Sequence, residues 1–190
     1  MPSYHSLSET EEAVKRQLGP IPVQMEALAA VSNLHRAAAA VRQHLENSAL
    51  RAADLTWSAF VVLWVVWIWE EMETRHVAAE AGLSKSTLTG IVKTVESRGL
   101  LTRRQHPDDG RLALLRLTPE GVALMESLFP AFNQEEAFVV DPLGSEGTLQ
   151  LAQTLRQIIT NLEDHGEERR ETLRGRTPFP PRRSGRRRAT

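Results

Sequence analysis

Residues 84–118 constrain the fold of this chain more than any other segment, because a helical pattern is followed at once by a strand-like pattern. Ser84 is a typical N-cap, since its hydroxyl can accept from the free N–H groups of the first helical turn. The apolar residues after it are spaced by three and four, which predicts a helix with one buried face and one polar face. These apolar residues are Leu88, Ile91, Val92 and Val95. Gly99 ends the pattern in the way that glycine commonly ends helices.

A hairpin is predicted directly after this helix. The segments 100–105 and 112–117 resemble strands, and Asp109-Gly110 between them is a strong tight-turn signal. A helix followed by strand, turn and strand is typical of a winged helix-turn-helix. In that fold the helix enters a DNA major groove, and the hairpin reaches the neighbouring minor groove or the backbone. The sequence therefore predicts a unit that binds double-stranded DNA.

The remaining segments predict a mainly α fold in which the hairpin, or wing, is the only β structure. We expect a short helix in an N-terminal extension over residues 1–22 and the DNA-binding unit over 56–118. Helices over 23–55 and 119–165 carry apolar stripes with no sheet to cover them. Pairing with a second chain would bury these stripes, so we interpret them as the dimerisation helices of a two-fold homodimer. Residues 166–190 are predicted to form a disordered, Arg-rich tail.

Local signals also predict where individual helices begin and end. Ser8-Glu9-Thr10-Glu11 fits a capping box for the first short helix. The apolar pattern from Trp57 predicts a central helix that runs to Glu71. Pro130 lies inside a helical pattern, where proline kinks or divides a helix. The apolar spacing of the last helix stops at His165, so we expect this helix to end there.

Composition excludes several classes of function. The chain has 190 residues and no cysteine, which excludes disulfides and thiolate chemistry. Its six histidines are scattered, and no nucleophile motif or Gly-rich phosphate loop is present, so we expect neither a metal site, nor a cofactor, nor enzyme activity. The uncharged run from Phe60 to Trp69 is too short to cross a bilayer, so we interpret it as a core helix and expect no membrane association. The N-terminus lacks a signal-peptide pattern, and a bacterial cytoplasmic location is expected.

Charge is distributed unevenly along the chain. The net charge is −1, yet the residues from Gly166 onward include nine arginines and only three glutamates. A basic tail on an acidic body predicts contact between the tail and a polyanion. A solvated tail without a partner is equally consistent with this composition.

Five short segments of this chain resemble the MarR family of bacterial transcription regulators, and the resemblance covers about residues 24–164. The segments are Ala78–Ser84, Ser86–Thr89, Glu96–Leu101, Asp109–Arg111 and Leu117–Gly121. The resemblance implies a homodimer, a winged helix that binds operator DNA, and repression that small ligands relieve. It also implies that the ligands are often phenolic or aromatic acids, which bind between the dimerisation helices and the DNA-binding unit.

Candidate DNA contacts follow from the helix and the wing. Hydroxyl-bearing residues in the first helical turn are placed for base edges, and lysines and arginines are placed for phosphates. At the wing tip, Arg111 can enter a minor groove while Asp109 orients its guanidinium. The full set is Ser84, Lys85, Ser86, Thr87, Thr89, Gly90, Lys93, Arg103, Arg104, Asp109 and Arg111, with Arg116 as a further phosphate contact.

Three features depart from the usual family pattern, and one of them is the Arg-rich tail over residues 166–190. Gly90 stands where a longer polar or basic residue is common, and glycine inside a helix costs about 1 kcal/mol relative to alanine. Its absence of a side chain either allows close approach to DNA or weakens base readout. The wing also has one basic residue after Asp109, Arg111, where the family often has two.

A candidate effector site is centred on the tryptophans. Trp57 and Trp64 lie seven residues apart on one helix face, and aromatic clusters often line ligand pockets. His35 and Arg36 could meet the carboxylate of such a ligand, and Met125 could add apolar surface. Simple core packing of the tryptophans explains the same spacing.

The sequence thus predicts a dimeric regulator that binds a pseudo-palindromic operator in double-stranded DNA and responds to a small-molecule effector. A repressor released by an aromatic or phenolic ligand is the leading hypothesis. The alternative is a winged-helix module for protein contacts, with nucleic-acid binding confined to the basic tail. The arginines of the hairpin favour the first hypothesis, because a protein-binding wing does not need them.

Overall fold

The computed structural model describes residues 5–107, 109 and 112–176. The elements in chain order are α1 (Leu7–Leu18), α2 (Met25–Asn47), α3 (Ala49–Ala52), α4 (Trp57–Trp69), β1 (Glu71–Glu73), α5 (Thr74–Glu80), α6 (Lys85–Ser97), β2 (Leu101–Gln105), β3 (Ala113–Leu117), α7 (Pro119–Val140), a short 3-10 helix (Asp141–Leu143) and α8 (Gly144–Arg176). The described residues up to Val139 form one compact unit, and those from Val140 form a second. The mainly α fold with a small wing is confirmed.

Helix α4 is the centre of the first unit. Thr56 caps it by accepting a hydrogen bond from the Ala59 N–H at 3.2 Å. The helix is apolar on every side, which predicts burial rather than a surface position. Six of its residues are buried: Ala59, Phe60, Val62, Leu63, Val65 and Val66. The core around them takes Val77 and Val95 from the neighbouring short helices, Leu115 from the sheet, and Met125 from α7.

The wing contains a third strand that was not predicted from the sequence. The sheet is antiparallel with strand order β1-β3-β2. The prediction that the central helix runs to Glu71 was wrong: α4 ends at Trp69, and Glu70 has a positive φ of 62°. This turn sends the chain into β1, where Met72 pairs with Leu115. Strand β1 has only three residues, which is too few for alternation of apolar and polar residues to indicate a strand.

Two further helix boundaries differ from the predictions, at the start of α1 and at the end of α8. The capping box of α1 uses Ser6 and Glu9, so the helix begins one residue before Ser8. Pro130 lies inside α7 without dividing it. Helix α8 does not end at His165 but continues to Arg176. The structure thus corrects the predicted disorder for residues 166–176, while residues 177–190 lie outside the described part of the chain.

Charged pairs explain the continuation of α8. Arg170 contacts Glu167 at 2.6 Å, and Arg174 lies 3.7 Å from the same carboxylate. Glu167 and Arg170 are three residues apart, and an ion pair at this spacing supports a helix without an apolar stripe. The apolar pattern alone was therefore the wrong criterion for this end.

Among the described residues, no single helix has the length and apolar character needed to cross a membrane. The segments Met25–Ala52 and Trp57–Trp69 meet those criteria only when taken together, and they are bent by 75°.

Candidate nucleic-acid interface

The first turn of α6 is held by its cap. The Ser84 hydroxyl accepts from the Thr87 N–H at 3.1 Å and lies 2.8 Å from the Thr87 hydroxyl. It also lies 2.9 Å from the hydroxyl of Ser86. These contacts place three hydroxyl groups together at the positive end of the helix dipole, which is a favourable position for phosphate or polar base edges.

The two faces of α6 differ as the sequence predicted. Leu88, Val92 and Val95 are buried against the core. The opposite face is exposed and polar, and it holds every candidate on this helix: Lys85, Ser86, Thr87, Thr89, Gly90 and Lys93. The Thr89 hydroxyl donates to the Lys85 carbonyl at 2.8 Å, so its methyl group and lone pairs remain for an outside partner.

A β-carbon added at Gly90 would have no neighbour within 4 Å. The backbone of α6 is therefore bare at this point on its exposed face. Packing within the first unit does not require glycine here, although alanine is the better helix former. Contacts among the described residues therefore do not explain why glycine is at this position.

A cationic groove runs between α5, α6 and the sheet, with a volume of about 440 Å³. Arg75, Lys85 and Arg103 lie along it, above a floor that includes Leu88 and Val92. Arg75 pairs with Glu73 at 2.7 Å, and Arg103 lies 3.9 Å from Glu96. Arg75 was not among the residues predicted from the sequence. The sequence signal that could have indicated Arg75 is its position at the start of α5, the helix before α6.

The strands of the wing carry a two-point ion pair. Arg104 donates from Nε to Glu71 Oε1 at 2.7 Å and from Nη2 to Glu71 Oε2 at 2.5 Å. This hydrogen bonding, together with the charges of Arg104, Arg116 and His106, lowers the pKa of the Glu71 carboxyl. Arg116 is exposed and faces Glu71 directly across the β1–β3 ladder.

At the wing tip, the described backbone closes through two hydrogen bonds. The Leu112 N–H donates to the Asp109 carbonyl at 2.9 Å, and the His106 N–H donates to the Leu112 carbonyl at 3.0 Å. Asp109 is exposed. Arg111 lies outside the described residues, and so does the proposed Asp109–Arg111 pair.

Arg98 anchors the end of α6, and it was not predicted from the sequence. Its guanidinium donates to the carbonyl of Asp54 at 2.6 Å and to that of Ala53 at 3.0 Å. Asp54 has a positive φ of 51°, so the loop before α4 turns its carbonyls toward this arginine. The arginine thereby joins the end of α6 to the loop that precedes α4. The family-like segment that contains Arg98 was the only signal in the sequence.

The tryptophans of α4 pack against phenylalanines of α7. Trp64 stacks on Phe129 with ring centroids 4.8 Å apart, and Phe60 stacks on Phe132 at 4.3 Å. Trp57 contacts Phe60 and Phe132 at the edge of this group. Trp57 and Trp64 are half-buried rather than fully enclosed. Core packing thus accounts for much of the aromatic spacing, while one side of the cluster remains accessible.

The other candidate ligand residues are either buried in the core or exposed on α2. Met125 is completely buried, so a ligand could reach it only by displacing its neighbours. His35 and Arg36 are exposed on α2, and Arg36 lines a groove between α1 and α2. In the part of the chain that the structure describes, no three His, Asp or Glu side chains converge as metal ligands would.

Comparisons with known proteins agree with this geometry. Residues 55–112, which span α4, the two helices after it and β2, match the MarR family. The HTH-type regulator YwaE of Bacillus subtilis, described as uncharacterized, is 28% identical over 162 residues, covering 84% of this chain and 95% of YwaE. SarZ of Staphylococcus saprophyticus, an HTH-type transcriptional regulator, is 30% identical over 55% of this chain and 74% of its own length.

Solved structures share the fold. A mutant MarR of E. coli in complex with operator DNA has a TM-score of 0.64, with 19% identity over 70% of this chain and 95% of that one. BpsR of Bordetella bronchiseptica has a TM-score of 0.63, with 24% identity over 68% and 97%. The exposed polar face of α6, the cationic three-stranded wing and these relatives together identify the chain as a DNA-binding transcription regulator of the MarR family, and not an enzyme.

Proposed function

We propose that the protein is a repressor that binds a pseudo-palindromic operator as a homodimer and leaves it when a small aromatic acid binds. The exposed polar face of α6 beside the cationic wing carries this proposal. A dimer that occupies a promoter duplex would exclude a polymerase, and this is the mode of repression that we propose. The arginines on the wing favour this function over the alternative of a protein-binding module.

Specific roles on α6 follow from position. Thr87 and Ser86 are in the first turn, where side chains reach base edges in a major groove. Lys85 and Lys93 neutralise phosphates on either side of the groove. Arg103 extends the contact from the face of the wing that borders the groove. Arg104 adds a charge on the opposite face of the same strand, and Asp109 with Arg111 completes the contact at the wing tip.

Exposed apolar residues support a dimer. On α2 they include Val31 and Leu34, and on α8 they include Ile158, Ile159 and Leu162. Exposed apolar stripes of this kind mark interaction surfaces. A two-fold dimer would present two α6 helices to half-sites about 34 Å apart, or roughly one turn of DNA.

The accessible side of the aromatic cluster supports an aromatic effector. Trp57 and Trp64 offer half-buried ring surface at the junction of α4 and α7. The solved structure of BpsR is described as showing how 6-hydroxynicotinic acid regulates its DNA binding. We assign ring stacking to the two tryptophans. His35 or Arg36 would bind the carboxylate of the acid only if α2, from the same subunit or its partner, comes close to the aromatic cluster around Trp57 and Trp64.

Fluorescence tests the effector proposal. All four tryptophans lie on α4, and Trp69 is 60% exposed. A Trp69→Phe background therefore restricts the emission to the cluster tryptophans Trp57, Trp64 and Trp67. A panel of aryl carboxylates that includes 6-hydroxynicotinic acid is titrated while tryptophan emission and the anisotropy of a labelled operator duplex are followed together.

The proposal predicts that at least one acid changes the emission at the concentrations that release DNA, because only differential affinity for the two states shifts the equilibrium. Trp64→Phe should weaken the response to the acid more than it weakens DNA binding. Release of DNA without a change in emission would place the effector site elsewhere. A panel with no effect on either signal would reject an aromatic acid as effector and leave the DNA-binding role untouched.

A further inference from the structure

Glu71 on β1 and Arg104 on β2 lie on the same face of the sheet, although these two strands do not pair with each other. In the β1–β3 ladder Glu71 is opposite Arg116, and in the β2–β3 ladder Thr102 is opposite the same residue. Successive residues of a strand point to opposite faces, so Arg104 shares the face of Thr102 and Glu71. The ion pair thus crosses the central strand diagonally and ties the two edge strands together.

The pair uses only one edge of the guanidinium. Glu71 accepts from Nε and Nη2, which leaves the N–H groups of Nη1 without a role in this pair. The carboxylate is the more enclosed partner, with 25% of the Glu71 side chain exposed against 55% for Arg104. More than half of the Arg104 side chain is therefore exposed, while its Nε–Nη2 edge is held by the carboxylate.

Fixing this arginine in advance matters for a phosphate contact. A free arginine side chain loses rotamer freedom when it binds, which opposes binding. An arginine that is already held loses less, and its planar fork stays in one orientation. The trio Glu71, Arg104 and Arg116 also retains one net positive charge, so the acid does not cancel the attraction for DNA.

We propose that Glu71 is a positioning residue for DNA binding, which holds Arg104 by its Nε–Nη2 edge so that the Nη1 edge meets a phosphate beside the wing. This inference rests on the proposed function, because it requires the wing strands to approach DNA.

The experiment measures the affinity of each variant for one duplex, selected from a randomised pool with the wild-type protein, and repeats it over a salt series. Glu71→Gln is expected to weaken binding about three- to tenfold, which lies in the lower part of the range of coupling between contacting residues. Glu70→Gln is the matched control, because it removes the same charge from the preceding exposed residue, for which the structure shows no contact with Arg104. This control is expected to leave affinity unchanged or slightly higher.

Two combinations separate positioning from a structural role. In an Arg104→Ala background, Glu71→Gln should cause no further loss, because the residue acts only through Arg104. The exchange of Glu71→Arg with Arg104→Glu restores an ion pair in reverse. We expect it to recover stability in urea but not DNA affinity. Recovery of both would show that the pair merely holds the sheet and would overturn the proposal.

Failure of the inference is distinguishable from failure of the proposed function. Lys93→Ala on α6 serves as the reference. If Lys93→Ala weakens binding while Glu71→Gln and Arg104→Ala do not, α6 binds DNA and the positioning role of Glu71 is rejected. If none of the three variants changes affinity, the interface itself is misplaced, and the inference fails with it.

Discussion

Gly121 packs against the backbone of Leu100 so closely that a β-carbon at position 121 would overlap the Leu100 carbonyl group. Thr118 fixes this approach from both sides. Its N–H donates to the Leu100 carbonyl at 3.2 Å, its hydroxyl donates to the Gly99 carbonyl at 2.6 Å, and the same hydroxyl accepts from the Gly121 N–H at 2.9 Å. The start of α7 is thus locked to the turn between α6 and β2.

Gly121→Ala is therefore expected to lower the free energy of unfolding by about 1–3 kcal/mol, because the methyl group meets backbone that cannot rotate away. Urea unfolding followed by far-UV circular dichroism measures the change. Gly147→Ala in α8 is the control, since a β-carbon there would meet only the Leu143 side chain, at 3.1 Å. Equal stability of the Gly121 variant and the wild type would show that α7 does not pack as described.

Substitution of Gly90 by alanine is expected to raise stability, whereas substitution of Gly121 is expected to lower it. Because a β-carbon at this position meets nothing within 4 Å, Gly90→Ala should stabilise α6 by about 1 kcal/mol. If DNA approaches the bare backbone at this point, the same variant should bind the operator more weakly. Thermal melting and duplex anisotropy on one preparation measure both effects. A stabilised variant with unchanged affinity would mean that DNA does not come close to residue 90.

Arg98 should couple stability to DNA binding. Arg98→Lys keeps the charge but loses the fork that meets the carbonyls of Asp54 and Ala53. We expect a decrease of about 1 kcal/mol in stability and weaker operator binding, because the end of α6 is no longer anchored. Arg42→Lys on α2, whose only described partner is Glu46 at 3.7 Å, is the control and should change neither quantity. Normal affinity of Arg98→Lys would reject the anchoring role.

Helix α6 and the hairpin of β2 and β3 were predictable from sequence, because each depends on local signals. Ser84 caps α6 as predicted, and the apolar spacing that starts at Leu88 marks the buried face correctly. Strand β1 was not predictable, since three residues carry no period and their pairing with β3 is a long-range contact. The continuation of α8 was missed because Glu167 and Arg170 stabilise that end through charge rather than burial.

In the candidate site, too, local patterns predicted some features, whereas others depend on long-range contacts. Exposure of Thr87 and Lys93 follows from helix periodicity, which a sequence displays. The anchoring of Arg98 on the Asp54 carbonyl and the pairing of Arg104 with Glu71 join residues far apart in the chain. Contacts of this kind depend on how the elements pack, and no local pattern encodes them.

The basic C-terminal segment offers a test that leaves the described fold intact. Removing residues 177–190 deletes five arginines and no acidic residue. We expect unchanged stability but a flatter dependence of log affinity on log salt, with a decrease of about 0.9 in slope for each phosphate that the segment neutralises in the full-length protein. The salt series is run on selected and scrambled duplexes. An identical slope for the truncated protein would exclude the segment from DNA binding.

Helix α6 is proposed to read a two-fold-symmetric DNA sequence, and the whole functional interpretation depends on this role. Selection from a pool of randomised duplexes, performed in parallel with the wild-type protein and with Thr87→Ala, is the decisive measurement. We predict that the wild type enriches a pseudo-palindrome with half-sites about 10 base pairs apart, and that Thr87→Ala relaxes the preference at one position in each half-site. Enrichment of no common sequence, or of the same sequence with the same strength by both proteins, would show that α6 does not read DNA in this way.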